Sequence, residues 1–256
     1  MAGPGLDMAI IIKSARELAY MRQAGRIVAE TLAVLQERIK PGIITAELDA
    51  LAYKVITKHN AVPSFKGYRG FPASLCVSVN EEVVHGIPGK RVLREGDIVS
   101  LDLGAIYHGY HGDAAVTLGV GRVSEEAARL IEVTASALQA AIAQARAGHC
   151  LGDISWAIQH YAESRGFSVV RQYVGHGIGR EMHEDPQVPN FGQPGRGVKL
   201  RPGMTLALEP MVNRGDWRTK VLPDNWTVVT EDGGLSAHFE HTVAITAGDP
   251  EILTKL

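Results

Sequence analysis

Arg94-Glu95-Gly96-Asp97-Ile98-Val99-Ser100-Leu101-Asp102 and Arg201-Pro202-Gly203-Met204-Thr205-Leu206-Ala207-Leu208-Glu209 are two versions of one phrase, set 107 positions apart. Each turns at a glycine, runs into an apolar strand and ends in a carboxylate. Two helices precede each phrase. Ser14-Ala15-Arg16-Glu17 has the spacing of a capping box, and Leu18, Met21, Val28, Leu32, Leu35 and Ile39 mark an apolar helical face that stops at Pro41-Gly42. A second helix is predicted from Thr45 to Asn60. In the other half Ser124 opens a helix through Ile131, Leu138 and Ile142 to near Gly148, and Asp153 opens another that ends near Gly166. Aligning Pro41-Gly42 with Ala147-Gly148 sets Asn60 opposite Gly166, an offset of 106. Asp113 and Glu240 then each lead into a second apolar stretch, Ala114–Leu118 and His241–Ile245. Helical periodicity recurs cheaply, so chance is the competing explanation. Carboxylates at matching places argue against it, and a duplicated fold with a cation site on its pseudo-symmetry axis is expected.

Composition narrows the classes. A chain of 256 residues, 45% hydrophobic and 21% charged, has the make-up of an ordinary globular protein with a substantial core. No low-complexity tract or long linker divides it, and the Gly/Pro-rich stretch from Pro186 to Gly203 reads as an ordered loop. One domain over residues 10–256 is expected, with residues 1–9 as a leader. A formal net charge of −2 advertises neither nucleic acid nor an anionic membrane. Cys76 and Cys150, 74 positions apart and in no metal-type spacing, read as free thiols of a reducing compartment. There is no apolar run long enough for a membrane span, and Met1–Asp7 lacks the pattern of a secretory signal. A cytoplasmic location follows as the expectation.

The chemistry is concentrated in Asp102, Asp113, His176, Glu209 and Glu240. Ionised carboxylates inside apolar strands cost several kcal/mol unless a cation or hydrogen-bond donor compensates them. Four acids and one imidazole could hold two divalent ions, and oxygen-rich ligation suits Mn, Fe(II), Co or Mg better than zinc's sulfur- and nitrogen-rich structural sites. Two such ions can activate a water and polarise a carbonyl. A structural Ca²⁺ or Mg²⁺ site is the bland alternative, but its ligands would cluster in one loop. These are spread over 139 positions and fall mostly on strands. Gly175-His176-Gly177-Ile178-Gly179 sets the imidazole among glycines, which permit close approach. His183 follows seven residues later, and His85 lies in Asn80–Pro88. His59, His108, His111, His149, His160 and His238 read as surface or core residues, and His241 alternates to the opposite strand face from Glu240.

Asn80–Pro88, Gly96–Asp102, His111-Gly112-Asp113, Gly175–Gly179, His183–Val188, Glu209-Pro210-Met211-Val212 and Phe239-Glu240-His241-Thr242 together resemble the type I methionine aminopeptidases of the short bacterial kind. The similarity runs from Ile10 to Leu253 and implies the α+β pita-bread fold, with duplicated halves around a central antiparallel sheet. It implies two divalent ions, Co, Mn, Fe(II), Zn or Ni. Asp102 would chelate one, His176 and Glu209 the other, and Asp113 and Glu240 both. Glu209 would serve as general base, and His85 and His183 would contact the scissile amide. Tyr68, Phe71, Cys76 and Trp226 would line the methionine pocket, where a thioether packs well against aromatic edges. Arg69, Phe71 and Met182 depart from the usual family residues and bear on pocket shape. The implied substrate is the N-terminal methionine of nascent polypeptides with a small second residue. The implied setting is a monomer in transient contact with ribosomes, reading no nucleic acid directly and binding no membrane.

Two rivals share these ligands. Xaa-Pro peptidases usually carry a large extra amino-terminal domain, and type II methionine aminopeptidases a long insertion where only 32 residues separate His176 from Glu209. A non-catalytic pita-bread binding module should have lost at least one of the five ligands, and all five are present.

Overall fold

The computed structural model describes residues 10–256; the leader expected at residues 1–9 lies outside the described residues. Four helices form where the apolar spacing places them: α1 (Ala15–Gln36), α2 (Thr45–Lys58), α3 (Glu125–Gln144) and α4 (Leu151–Glu163). The capping box at α1 is complete. Ser14 Oγ accepts the Glu17 N–H at 3.4 Å, and Glu17 Oε2 accepts the Ser14 N–H at 2.8 Å. Met21, Ala24, Val28, Leu32 and Leu35 are all buried, one residue per turn along a single stripe. One start differs from expectation. α4 opens at Leu151, because Asp153 caps from within the first turn, accepting the Cys150 N–H at 2.7 Å. No helix among the described residues is long and apolar enough to cross a membrane.

The main sheet runs Val62–Pro63, Ile98–Tyr107, Tyr110–Gly119, Glu240–Ala244, Thr205–Leu208, Gly175–Gly177, Glu184–Val188, with Cys76–Val79 also on Ile98–Tyr107 and Glu251–Ile252 on Glu240–Ala244. Every pairing in it is antiparallel. The two carboxylate-bearing strands of each half meet at its centre, where Glu240 pairs with Ala115. The duplication extends to single hydrogen bonds. Gly42 N–H donates to Leu93 O at 2.8 Å, and Gly148 N–H to Leu200 O at 2.9 Å. Gly96 N–H donates to Val120 O and Gly203 N–H to Ile245 O, both at 2.9 Å. Asn60 and Gly166, aligned from sequence, both take positive φ (55° and 83°) just past α2 and α4.

Alternation divides the sheet into two faces. Leu101, Leu103, Leu206, Leu208 and Val243 face the helices: α1 and α2 cover one half with Ile27, Leu35, Leu48 and Ile56, α3 and α4 the other with Leu130, Leu138, Ile154 and Ile158. α1 seats its backbone directly on the sheet and the C-terminal strand. A Cβ on Gly112 would lie 2.7 Å from the Gly25 nitrogen, and one on Gly25 would lie 2.3 Å from the Leu253 carbonyl oxygen. Gly25→Ala therefore tests packing against propensity with opposite signs. Helix propensity alone would stabilise by about 1 kcal/mol. Overpacking against backbone should win, destabilising by about 2 kcal/mol net and lowering Tm by roughly 4–8 °C in thermal unfolding followed by circular dichroism.

Candidate active site

The register sets all five ligand-type side chains on the sheet face away from the helices. Asp102 pairs with Ala115 and Asp113 with Gly104, so both acids share a face. Glu240 also pairs with Ala115, across the boundary between the halves. His176 pairs with Ala207, two residues before Glu209 and so on the same face. Where the paired residues of the central ladder end, the Thr242 hydroxyl takes over. It accepts the Asp113 N–H at 2.9 Å and donates to the Asp113 carbonyl at 2.8 Å. Ligand atoms of Asp113, His176 and Glu240 come within 4.8 Å of one another. Glu209 Oε1 lies 3.5 Å from His176 Nε2, and Asp102 lines the same cavity. His241, expected on the other face, is there, bonded through Nδ1 to Thr254 Oγ1 at 2.9 Å.

The donor set fits a divalent cation on three independent grounds. Asp102 Oδ1, Asp113 Oδ1 and Glu240 Oε1 are buried with no hydrogen-bond partner among the described residues. Such orphans in a native core call for an unseen ion or water. His176 Nδ1–H donates to the Gly177 carbonyl at 2.8 Å, which turns the Nε2 lone pair toward the acids as metal-binding histidines do. Gly177 also lets the neighbouring strand approach closely, since a Cβ there would lie 2.2 Å from the Asp185 carbonyl oxygen. Electrostatics agree. Burial lifts Asp102 to about 7, and burial followed by repulsion from neighbouring acids holds Asp113, Glu209 and Glu240 well above the carboxylate range. Burial, then His183, pushes His176 down to about 3.

The cluster floors a cavity of about 150 Å³, into which Tyr68, Phe71, Cys76, His85, His183 and Trp226 all project. That is well below the 300–1,000 Å³ of sites for drug-sized ligands, and suits one side chain and its backbone. Phe71 and Cys76 are buried, and Phe71 meets Trp226 edge-on at 5.1 Å between centroids. Cys76 pairs across the sheet with Asp102. His183 stands at the exposed mouth, its Nδ1 2.7 Å from the Tyr68 hydroxyl and its ring 4.3 Å from that of His176. His85 sits in left-handed backbone (φ 61°), a conformation uncommon outside glycine and often found at functional sites. Burial, followed by His183, lowers its pKa to about 4.

Sequence reasoning did not assign Phe65, Arg69 and Met182 to the cavity wall, although Arg69 and Met182 stood out as departures. His111 and His238 are core residues as expected, yet they adjoin the site. His111 bonds Ser64 Oγ at 2.9 Å, and His238 Nε2 lies 3.9 Å from Glu240 Oε2. Their signal was present: each stands two residues before a strand carboxylate, hence on its face.

The pH dependence of stability separates acids from histidines. The site histidines have lowered folded-state pKa values, so their contribution is complete above about pH 6.5, the unfolded value. The acids are raised in the folded state, so the native protein binds more protons and loses stability as pH rises through about 7. Metal-free protein should therefore lose stability between roughly pH 6.5 and 8, and saturation with a divalent cation should flatten that slope. Urea unfolding across this range, with chelator and with added cation, measures both.

Comparison with known proteins gives one answer. Residues 19–247 match Metallopeptidase family M24. The chain is 61% identical over 246 residues to a methionine aminopeptidase of Clostridium acetobutylicum, covering 96% of this chain and 98% of that protein. Identity to methionine aminopeptidase 1 of Bacillus subtilis is 57% over 247 residues, covering 96% and 100%. The solved structure of a methionine aminopeptidase from Thermotoga maritima superposes with a TM-score of 0.96 at 52% identity, over 97% of this chain and all of the other (100%). Prolidase from Pyrococcus furiosus shares the fold at a TM-score of 0.79 and 23% identity, over 96% of this chain and 66% of that one. Similarity this high along nearly the whole length decides the family: the chain belongs to metallopeptidase family M24 and is a metal-dependent hydrolase of the pita-bread fold.

Proposed function

We propose that this protein removes the N-terminal methionine from nascent polypeptides, with preference for a small second residue. One observation carries the reading: a buried acid–imidazole cluster, with three oxygens unpartnered among the described residues, opens into a small cavity walled by aromatic rings and a thiol. Asp102, Asp113, His176, Glu209 and Glu240 would hold two divalent ions of Co, Mn, Fe(II), Zn or Ni. Asp102 would serve one, His176 and Glu209 the other, and Asp113 and Glu240 both. Bound there, divalent cations supply Lewis-acid polarisation and lower the pKa of water. Tyr68, Phe71, Cys76 and Trp226 would grip an unbranched thioether, which conforms to aromatic edges where a β-branched side chain would not. Glu209, its proton affinity raised by burial and by Asp102 and Asp113, would accept a proton and return it to the leaving amine. With Tyr68 donating to Nδ1, His183 would carry its proton on Nε2, aimed at the developing oxyanion. His85, its pKa lowered to about 4, stays neutral and can donate to the scissile amide. A nascent-chain substrate would place the work in the cytoplasm near the ribosome exit, and the family resemblance implies a monomer.

The test is methionine release from Met-Ala-Ser by metal-stripped protein, with and without Mn²⁺ or Co²⁺, beside Ala-Pro and Met-Leu-Ser. Cation-dependent release from Met-Ala-Ser alone is expected. Cleavage of Ala-Pro would point to an Xaa-Pro peptidase, and no release by folded, cation-loaded protein would point to a binding module. Asp113→Ala or Glu240→Ala should lose both turnover and bound metal by elemental analysis. His183→Ala should keep its metal and lose roughly 10²–10³ in kcat, the usual cost of one oxyanion contact.

A further inference from the structure

Lys13 and Glu184 form an ion pair buried to 3% exposure on both sides, outside the cluster of proposed ligands. Lys13 belongs to the short segment before α1, and its backbone N–H is fastened to the Gly203 carbonyl at 2.8 Å, on the turn entering the Thr205–Leu208 strand. Glu184 directly follows His183 in the chain and begins the Glu184–Val188 strand. Its second carboxylate oxygen accepts the Glu181 N–H at 3.3 Å, and Gly179 N–H closes the same turn on the Glu181 carbonyl at 3.1 Å. The pair packs tightly against this turn at Gly179. A Cβ on Gly179 would lie 2.4 Å from Glu184 Oε1 and 2.5 Å from Lys13 Cε.

Stability does not explain such a pair. Taking two charges out of water costs about as much as their attraction returns, and apolar residues of similar volume often do as well or better. A buried pair does supply fixed direction: Glu184 is tied on one oxygen to Lys13 and on the other to the turn. His183 itself is exposed, and its ring has one hydrogen-bond partner among the described residues, the Tyr68 hydroxyl. Tyr68 holds the ring from the cavity side; the backbone beneath is held by Lys13 through Glu184.

We propose that Lys13 and Glu184 are positioning residues that set the place of the His183 imidazole at the mouth of the active site. Neither touches the reacting atoms. This rests on the proposed contact of His183 with the substrate, and it makes the segment before α1 part of the catalytic apparatus.

The test is the double variant Lys13→Met/Glu184→Met, which removes both charges at similar volume, measured on Zn²⁺-loaded protein beside wild type. The expected result is cooperative unfolding at or above the wild-type Tm, KM for Met-Ala-Ser within twofold, and kcat lower by roughly 10–100-fold, the cost of a displaced group. The His183 ring signals in ¹H–¹⁵N spectra should shift while those of His59, which meets Glu30 about four helical turns along α1 from Lys13, stay in place. A folded variant with wild-type kcat and unshifted His183 signals overturns the proposal. Should the double variant not fold, Glu184→Gln is read against the same criteria, and wild-type kcat with unmoved His183 signals there overturns it equally. The ring signals need no turnover. A wild type that releases no methionine would sink the functional reading, while the spectra still decide whether the pair places His183.

Discussion

Four carboxylates held out of water on one face of a sheet repel one another, and the rest of the structure answers to that fact. Burial alone raises each of them, and proximity raises Asp113, Glu209 and Glu240 further. Packing a core around such a cluster without a counter-charge would cost several kcal/mol per group. The fold accepts that cost because cation binding reverses it, and a site that is unfavourable when empty binds its ion the more firmly. His176, kept neutral by burial and turned by its bond to the Gly177 carbonyl, brings a lone pair to the same point without adding positive charge.

The division of labour between the faces of the sheet follows. Helices cover the side where Leu101, Leu103, Leu206 and Leu208 project, and their apolar contacts stabilise the strands from behind. This leaves the opposite side free for polar groups that contribute little to folding. Rigid strands then hold the acids in register, which loops could not do as accurately. Loops and short turns complete the cavity around them: Tyr68 and Arg69 stand beside His183 at its mouth, and Trp226 lies between Phe71 and His85.

Much of this was legible in the chain itself, for stated physical reasons. Asp102 and Glu209 were visible because a carboxylate in an apolar run is anomalous, and the duplication because Gly42, Asn60, Gly96 and their counterparts punctuate both halves alike. The α1 start was visible because both members of its capping box lie within four residues. The α4 start was displaced because an aspartate can cap from the helix's first turn as well as from its Ncap. The pocket residues Tyr68, Phe71, Cys76 and Trp226 were reached through family resemblance, since nothing local distinguishes a pocket aromatic from a core one. Phe65 escaped for the same reason. Lys13 was beyond any local pattern: its partner is 171 positions away.

Glu240 comes from the penultimate strand of the sheet, and its place is between strands contributed by both halves. A chain still being synthesised, or one cut short before this strand, lacks an acid that no earlier segment supplies. The buried acid cluster is thus completed late, once the second half has closed on the first. In a chain with this strand order the cluster cannot assemble before nearly all of the sequence has been made.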